Sequence, residues 1–134
     1  MFWLSHHYDD ELDRCWRVGP LHVCARCLGT YPTLFALFAA QVRSHALLDA
    51  LTLPIVLALT APALADWSFG RFRPHAGSNL WRTFTGLLLG VALSRTLFLH
   101  VVLRQPHDLF VQLGLVTAVA GPVILTSYLR RRRG

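Results

Sequence analysis

Three thiols and several imidazoles crowd the first 27 residues of a 134-residue chain: His6, His7, Cys15, His22 and the run Cys24-Ala25-Arg26-Cys27. Thiolate and neutral imidazole are the ligands zinc prefers, and a short Cys-x-x-Cys chelate is the usual half-site of a tetrahedral centre. The best set is His7, Cys15, Cys24 and Cys27, a Cys3His arrangement, with His6 and His22 as substitutes. Gly19-Pro20 would turn the chain so that Cys15 and the later pair return to one point. Arg26, inside the chelate, and Arg17 would offset thiolate charge. Four protein ligands would make zinc structural and help fold an acidic, weakly apolar segment. Three would leave a position for water, which zinc turns into a nucleophile near neutral pH. Reversible thiol chemistry at Cys24 and Cys27, or plain packing of cysteine as a small hydrophobe, stand beside the metal reading. The single Cys-x-x-Cys and the histidine fit an iron–sulfur cluster less well.

The body that must position these groups is apolar. Hydrophobic residues make up 54% of the chain and charged residues only 15%, more apolar surface than one small soluble core can hide, so lipid is the expected solvent. Charge-free or nearly charge-free stretches predict four transmembrane helices: Leu28–Val42, Ala46–Ala65, Thr83–Leu103 and Leu109–Leu129. The first is short for a span. Pro54 and Pro62 are expected as kinks in the second. The fold class is therefore an all-α integral membrane protein, with a Cys/His-rich head over residues 1–27 and a helical bundle over residues 28–134, together one compact domain.

All 13 basic residues are arginine, and the formal net charge is +6. A nucleic-acid partner is disfavoured by where they sit, since Arg130-Arg131-Arg132-Arg133 directly follows an apolar span, the place of a topology signal. With four spans both termini share a side. That side collects Arg14, Arg17, Arg26, Arg71, Arg73, Arg82 and the terminal run, against Arg43 and Arg104, which places both termini in the cytoplasm and the protein in the inner (cytoplasmic) membrane. Asp9, Asp10, Glu11 and Asp13 interrupt any apolar h-region, so no cleavable signal peptide is expected. The thiols then face a reducing compartment, where a permanent disulfide is disfavoured.

The same topology brings the loop from Asp66 to Arg82 beside the head. A return loop between the second and third helices is expected to let Asp66 and Arg82 pair. With Asn79 they would form either an interfacial salt bridge or a polar pocket holding the catalytic candidates Asp66, Asn79 and Arg82. Arg71, Arg73 and Arg82 suit a phosphate or an anionic lipid headgroup. Arg95 falls well inside the third span, where a charge costs at least about 2.5 kcal/mol, and Asp49 is its expected intramembrane partner. Gly86-x-x-x-Gly90 lets another helix backbone approach closely, in a homodimer, in a larger membrane complex or within the chain.

The stretches CARCLGTY (Cys24 to Tyr31) and SNLWRTFTG (Ser78 to Gly86), with Asp66 between them and His and Cys upstream, resemble the predicted membrane proteins called domain of unknown function 2085. Where that pattern carries an early Cys-His pair, this chain reads Ser5-His6-His7, with Cys15 further on. The resemblance implies a multi-span membrane protein with a cysteine-rich cytoplasmic end and brings no established activity. Three functions of different class follow: a zinc-binding module or accessory subunit docking a partner or an anionic lipid, a membrane enzyme acting on a phosphorylated or lipid substrate, and a thiol redox protein. There is no serine elbow or paired-carboxylate motif, which weighs against the enzyme.

Overall fold

The computed structural model describes residues 9–45, 47–73 and 77–133. A 3-10 turn, Asp9–Arg14, leads into a two-stranded antiparallel hairpin, β1 (Cys15–Val18) and β2 (Leu21–Cys24). Gly19 takes a left-handed φ of +61° at the turn, a conformation open to glycine at no steric cost and demanded by two-residue hairpin loops. Val18 thereby faces Leu21, and Cys15 faces Cys24. The head thus adds strands to a fold expected to be wholly helical.

Among the described residues four helices follow: α1 (Ala25–Arg43), α2 (Leu53–Phe72), α3 (Asn79–Val101) and α4 (His107–Arg133). Cys24 is the N-cap of α1, so the Cys-x-x-Cys pair straddles the hairpin and the first helical turn. The second helix lies further along than the expected Ala46–Ala65. Leu48 adopts a left-handed φ of 65° in the preceding turns, and Pro54 sits in the first turn of α2, where its missing N–H costs nothing. Pro54 therefore starts a helix instead of kinking one, and only Pro62 is interior. At α3 the Ser78 hydroxyl caps the helix by accepting from the Trp81 N–H at 3.2 Å, the usual N-cap chemistry.

Among the described residues, three of the four helices are long and apolar enough to cross a membrane, Leu53–Phe72, Asn79–Val101 and His107–Arg130, and α1, which holds the expected first span Leu28–Val42, is not one of them. The burial pattern agrees with a lipid solvent. Phe35, Phe69, Leu80, Phe110 and Leu125 point outward, whereas Thr60, Thr85, Ser94, Thr96 and Gln112 are buried between helices. Interior polar groups that find partners are how helices associate where lipid tails remove any hydrophobic gain. Gln112 of α4 donates to Thr60 Oγ1 of α2 and accepts from Thr96 Oγ1 of α3, both at 2.8 Å, bolting three helices with one side chain.

The α1–α3 seam is closer still and the two helices run parallel. Gly29 of α1 meets the turn holding Thr83 and Leu87, and Gly90 of α3 meets Thr30 and Leu34. A Cβ on Gly29 or Gly86 would run into the carbonyl of Thr83 or Arg26. The Thr30 hydroxyl bridges the seam to Gly86 O at 3.1 Å. Gly86-x-x-x-Gly90 is thus occupied by a helix of the same chain. Over its 19 residues α1 extends about 28 Å beside α3.

Candidate functional site

The head is held on the helix ends by its backbone. Asn79 Nδ2, at the start of α3, donates to the carbonyls of Asp13 (2.9 Å) and Cys15 (3.1 Å). Trp16 Nε1 donates to Thr83 Oγ1 at 2.9 Å, and Thr83 Oγ1 itself lies 3.0 Å from Ala25 O. Arg14 reaches α2 through the Gly70 carbonyl at 2.7 Å. Short polar residues in the first turn of α3 therefore fix where the hairpin sits.

This fixing collects the cysteines. Cys15 and Cys24 oppose each other in the hairpin and both are buried; Cys27 follows one turn into α1 and is half-buried. The Cys27 thiol is pushed up from its ordinary range, first by its hydrogen bond with Cys24 and then by burial, with charge on Cys24 and Cys15 adding to the shift and Arg26 opposing it. A thiol so placed is not primed as a thiolate nucleophile, which needs the opposite shift. A bound cation would reverse the preference by favouring thiolate. Among the described residues, no group of three or more His, Cys, Asp or Glu side chains is arranged to hold a metal ion. Of the histidines considered as ligands, His22 sits on β2 opposite Arg17, and His6 and His7 lie outside the described residues.

Beside the thiols opens a cavity of about 420 Å³ between the head and helices α1, α2 and α3. Its polar wall includes Arg14, Arg26, Arg71, Arg82, Asp66 and the two Cys-x-x-Cys thiols; its apolar wall includes Tyr31, Trp67, Leu89 and Leu93. Asp66 and Arg82 both line it but do not form the expected pair. Helix α2 continues to Phe72, so Asp66 lies inside the helix, level with the first turn of α1, and its carboxylate binds Arg26 Nη2. Arg82 is buried, with 6% of its surface exposed, and donates to Asn79 Oδ1 at 3.2 Å. Arg71 packs over the Trp67 ring at 5.9 Å. Arg73 is the exposed C-cap of α2 and does not line the cavity.

The three catalytic candidates thus have different partners. Asp66 neutralises Arg26, and Asn79 secures the hairpin. Outside the cavity lining, Arg95 Nη1 lies 3.0 Å from Asp49 Oδ1, an ionic contact without hydrogen-bond alignment; Arg95 is buried while the Asp49 side chain is 58% exposed. Sequence reasoning missed Arg14, Trp67 and Thr83 as parts of the site. It placed Arg26 only as a charge offset, although an arginine inside a chelate at the head of a helix is the cation best placed to meet a carboxylate on a neighbouring helix.

Residues 14–96 match the family described as Predicted membrane protein (DUF2085). The match takes in the hairpin, α1, α2 and most of α3, and with them every residue lining the cavity. No curated protein and no solved structure matches the chain. The chain belongs to this family of membrane proteins.

Proposed function

We propose that this family member is a small zinc-binding membrane protein that acts as a binding module or accessory subunit at the cytoplasmic face of the inner membrane. The observation that carries the reading is that Cys15 faces Cys24 across the hairpin and Cys27 shares a hydrogen bond with Cys24, beside a cavity lined by four arginines. Hairpin register brings two cysteines opposite each other, and the first turn of α1 brings the third, whose thiol feels both others. Zinc would require these side chains to turn toward one another and a fourth ligand, His7 or His6, to come from the residues before the 3-10 turn. Bound zinc would supply the preference for thiolate that the Cys27 thiol lacks by itself.

Placement of both termini in the cytoplasm is supported by arginine asymmetry. The head end carries Arg14, Arg17, Arg26, Arg71, Arg73 and Arg82, joined by the arginine run that ends α4, and the far end carries Arg43 and Arg104. Docking of an anionic partner or headgroup is supported by the cationic wall of the cavity, with exposed Arg73 at its margin in the chain. A second copy would need a surface other than Gly86 and Gly90, which α1 covers.

The test is elemental analysis of detergent-purified protein beside Cys15→Ser, Cys24→Ser, Cys27→Ser and Asp66→Asn. About one zinc per chain, lost in each cysteine variant and kept in Asp66→Asn, is the expected result. Absence of zinc, with Cys24 and Cys27 cycling to a disulfide, would refute the metal module in favour of thiol chemistry.

A further inference from the structure

We infer that the β1–β2 hairpin is an interfacial membrane anchor, whose apolar face of Trp16, Val18, Leu21 and Val23 lies in the boundary layer of the bilayer that surrounds α3. The inference goes beyond the binding-module reading and rests on hairpin register and helix contacts, not on zinc.

Successive side chains of a strand point to opposite faces, and register decides which of them share a face. Trp16 opposes Val23 and Val18 opposes Leu21, so one face of the hairpin is wholly apolar; Cys15 opposes Cys24 and Arg17 opposes His22 on the other. The bundle does not cover the apolar face. Val18 is 59% exposed, and Trp16 and Leu21 are each 39% exposed, whereas Cys15 and Cys24 behind them are buried. A two-stranded ribbon is at best marginally stable in water, and one that also turned its apolar side chains outward would gain little from folding there.

The contacts of β1 with the helices identify what covers this face. Arg14 reaches Gly70 of α2, the Cys15 carbonyl accepts from Asn79 at the start of α3, and Trp16 Nε1 donates to Thr83 one turn further along. Leu80 and Leu87 precede and follow Thr83 by three and four residues, the spacing that puts all three on one side of a helix. They are 72% and 41% exposed. Trp16 therefore joins the hairpin to the outward apolar stripe of a membrane-length helix, and the solvent of that stripe is lipid.

Depth agrees. Thr83 lies about 6 Å into α3 at 1.5 Å per residue, and its Oγ1 is also 3.0 Å from the carbonyl of Ala25, the first residue of α1. The hairpin is thus rooted below the first turn of α3. Trp16 and the half-exposed Trp81 are of the aromatic type that settles where hydrocarbon meets water. The outer edges of a two-stranded sheet carry backbone groups that require water, so the face reaches the headgroups and the first methylenes and no deeper. Arg17, exposed on the opposite face, keeps its charge on the water side.

The experiment uses full-length protein with isotope-labelled Val and Leu methyl groups in nanodiscs of uncharged phosphatidylcholine, observed by NMR. Two paramagnetic reagents are compared: phosphatidylcholine carrying a doxyl radical near the top of its acyl chain, and a water-soluble gadolinium chelate. The Val18 and Leu21 methyl signals should be lost with the doxyl lipid, as those of Leu87 are, and kept with the chelate. Loss with the chelate and survival with the doxyl lipid would overturn the inference by standing the hairpin in water. Survival with both would overturn it by placing a second copy of the chain, not lipid, on this face. In Val18→Asp/Leu21→Asp, the Val23 methyl signals should no longer respond to doxyl lipid while the cross-strand contact of Trp16 with Val23 persists; an unchanged response would overturn the anchoring role of the tip. If that variant loses the cross-strand contact, the result with the parent protein decides alone.

Discussion

Separating Arg26 from Asp66 is the sharpest test of how the head is coupled to the membrane helices. Their side chains are 23% and 10% exposed, so both ions have given up most of their water. Among the described residues, Arg26 Nε has no hydrogen-bond partner, which leaves the Asp66 carboxylate as the group that stabilises the guanidinium. Removing one member of a well-buried pair costs about 3–5 kcal/mol, because the other charge stays behind unpaired. The residual exposure of Arg26 moves the expectation for Asp66→Leu and for Arg26→Met to about 2–3 kcal/mol each. Replacing both by apolar residues removes the stranded charge, and the double variant should lie within about 1 kcal/mol of the parent. Unfolding in mixed micelles with increasing sodium dodecyl sulfate, followed by circular dichroism, reads the cycle. A coupling of about 3–6 kcal/mol is expected, far beyond the error of additive sites. Singles within about 0.5 kcal/mol of the parent, or a double equal to their sum, would refute the pairing of α1 with α2 through these two residues.

Other perturbations test the seams of the bundle. Gly86→Ala forces a methyl group against the Arg26 carbonyl and should cost about 1–3 kcal/mol as an overpacked contact, read as a drop in melting temperature. Gly114→Ala and Gly121→Ala meet nothing within 4 Å, and each should be neutral or slightly stabilising through better helix propensity; destabilisation by either would show that this face of α4 packs closely against another helix. Gln112→Leu breaks the bonds to Thr60 and Thr96 and should cost about 1 kcal/mol, in line with typical interhelical bonds in membranes. Thr96→Val in that background should then add little, since its partner is already gone.

Apolar runs in the sequence lead to the three membrane-length helices α2, α3 and α4 because length and lack of charge are what hydrocarbon selects, whereas α1 is helical but falls short of a span by that measure. They misplace α2 by several residues because hydropathy alone cannot tell a proline that kinks a helix from one that begins it. Pro54 begins one, and the polar-looking tail through Trp67, Phe69 and Phe72 continues it. The hairpin has four-residue strands, too short for alternation to register, although its Gly19-Pro20 turn was legible. The site was legible as an inventory, since Cys24, Cys27, Asp66, Arg71 and Arg82 all line one cavity. Its pairing was not. Asp66 meets Arg26 instead of Arg82 because α1 runs parallel to α3 and presents its first turn to α2, a relation set by Gly29, Gly86 and Gly90. Gly-x-x-x-Gly declares that a helix will come close but carries no information about which helix it is.

Arg26 explains why the head and the bundle must be treated as one site. Its neighbours in sequence lead to the two thiols of the Cys-x-x-Cys pair, its guanidinium reaches Asp66 on α2, and its carbonyl accepts from Thr30 while abutting Gly86 on α3. A change at Cys24 or Cys27 therefore acts on the first turn of α1, a turn wedged against one helix and ion-paired to another. Close-packed interfaces shift between discrete arrangements and do not deform continuously. Cys24→Ser and Cys27→Ser are therefore expected to disturb the Arg26–Asp66 pair and the α1–α3 seam as well as the thiols, read as a lower melting temperature of the whole bundle.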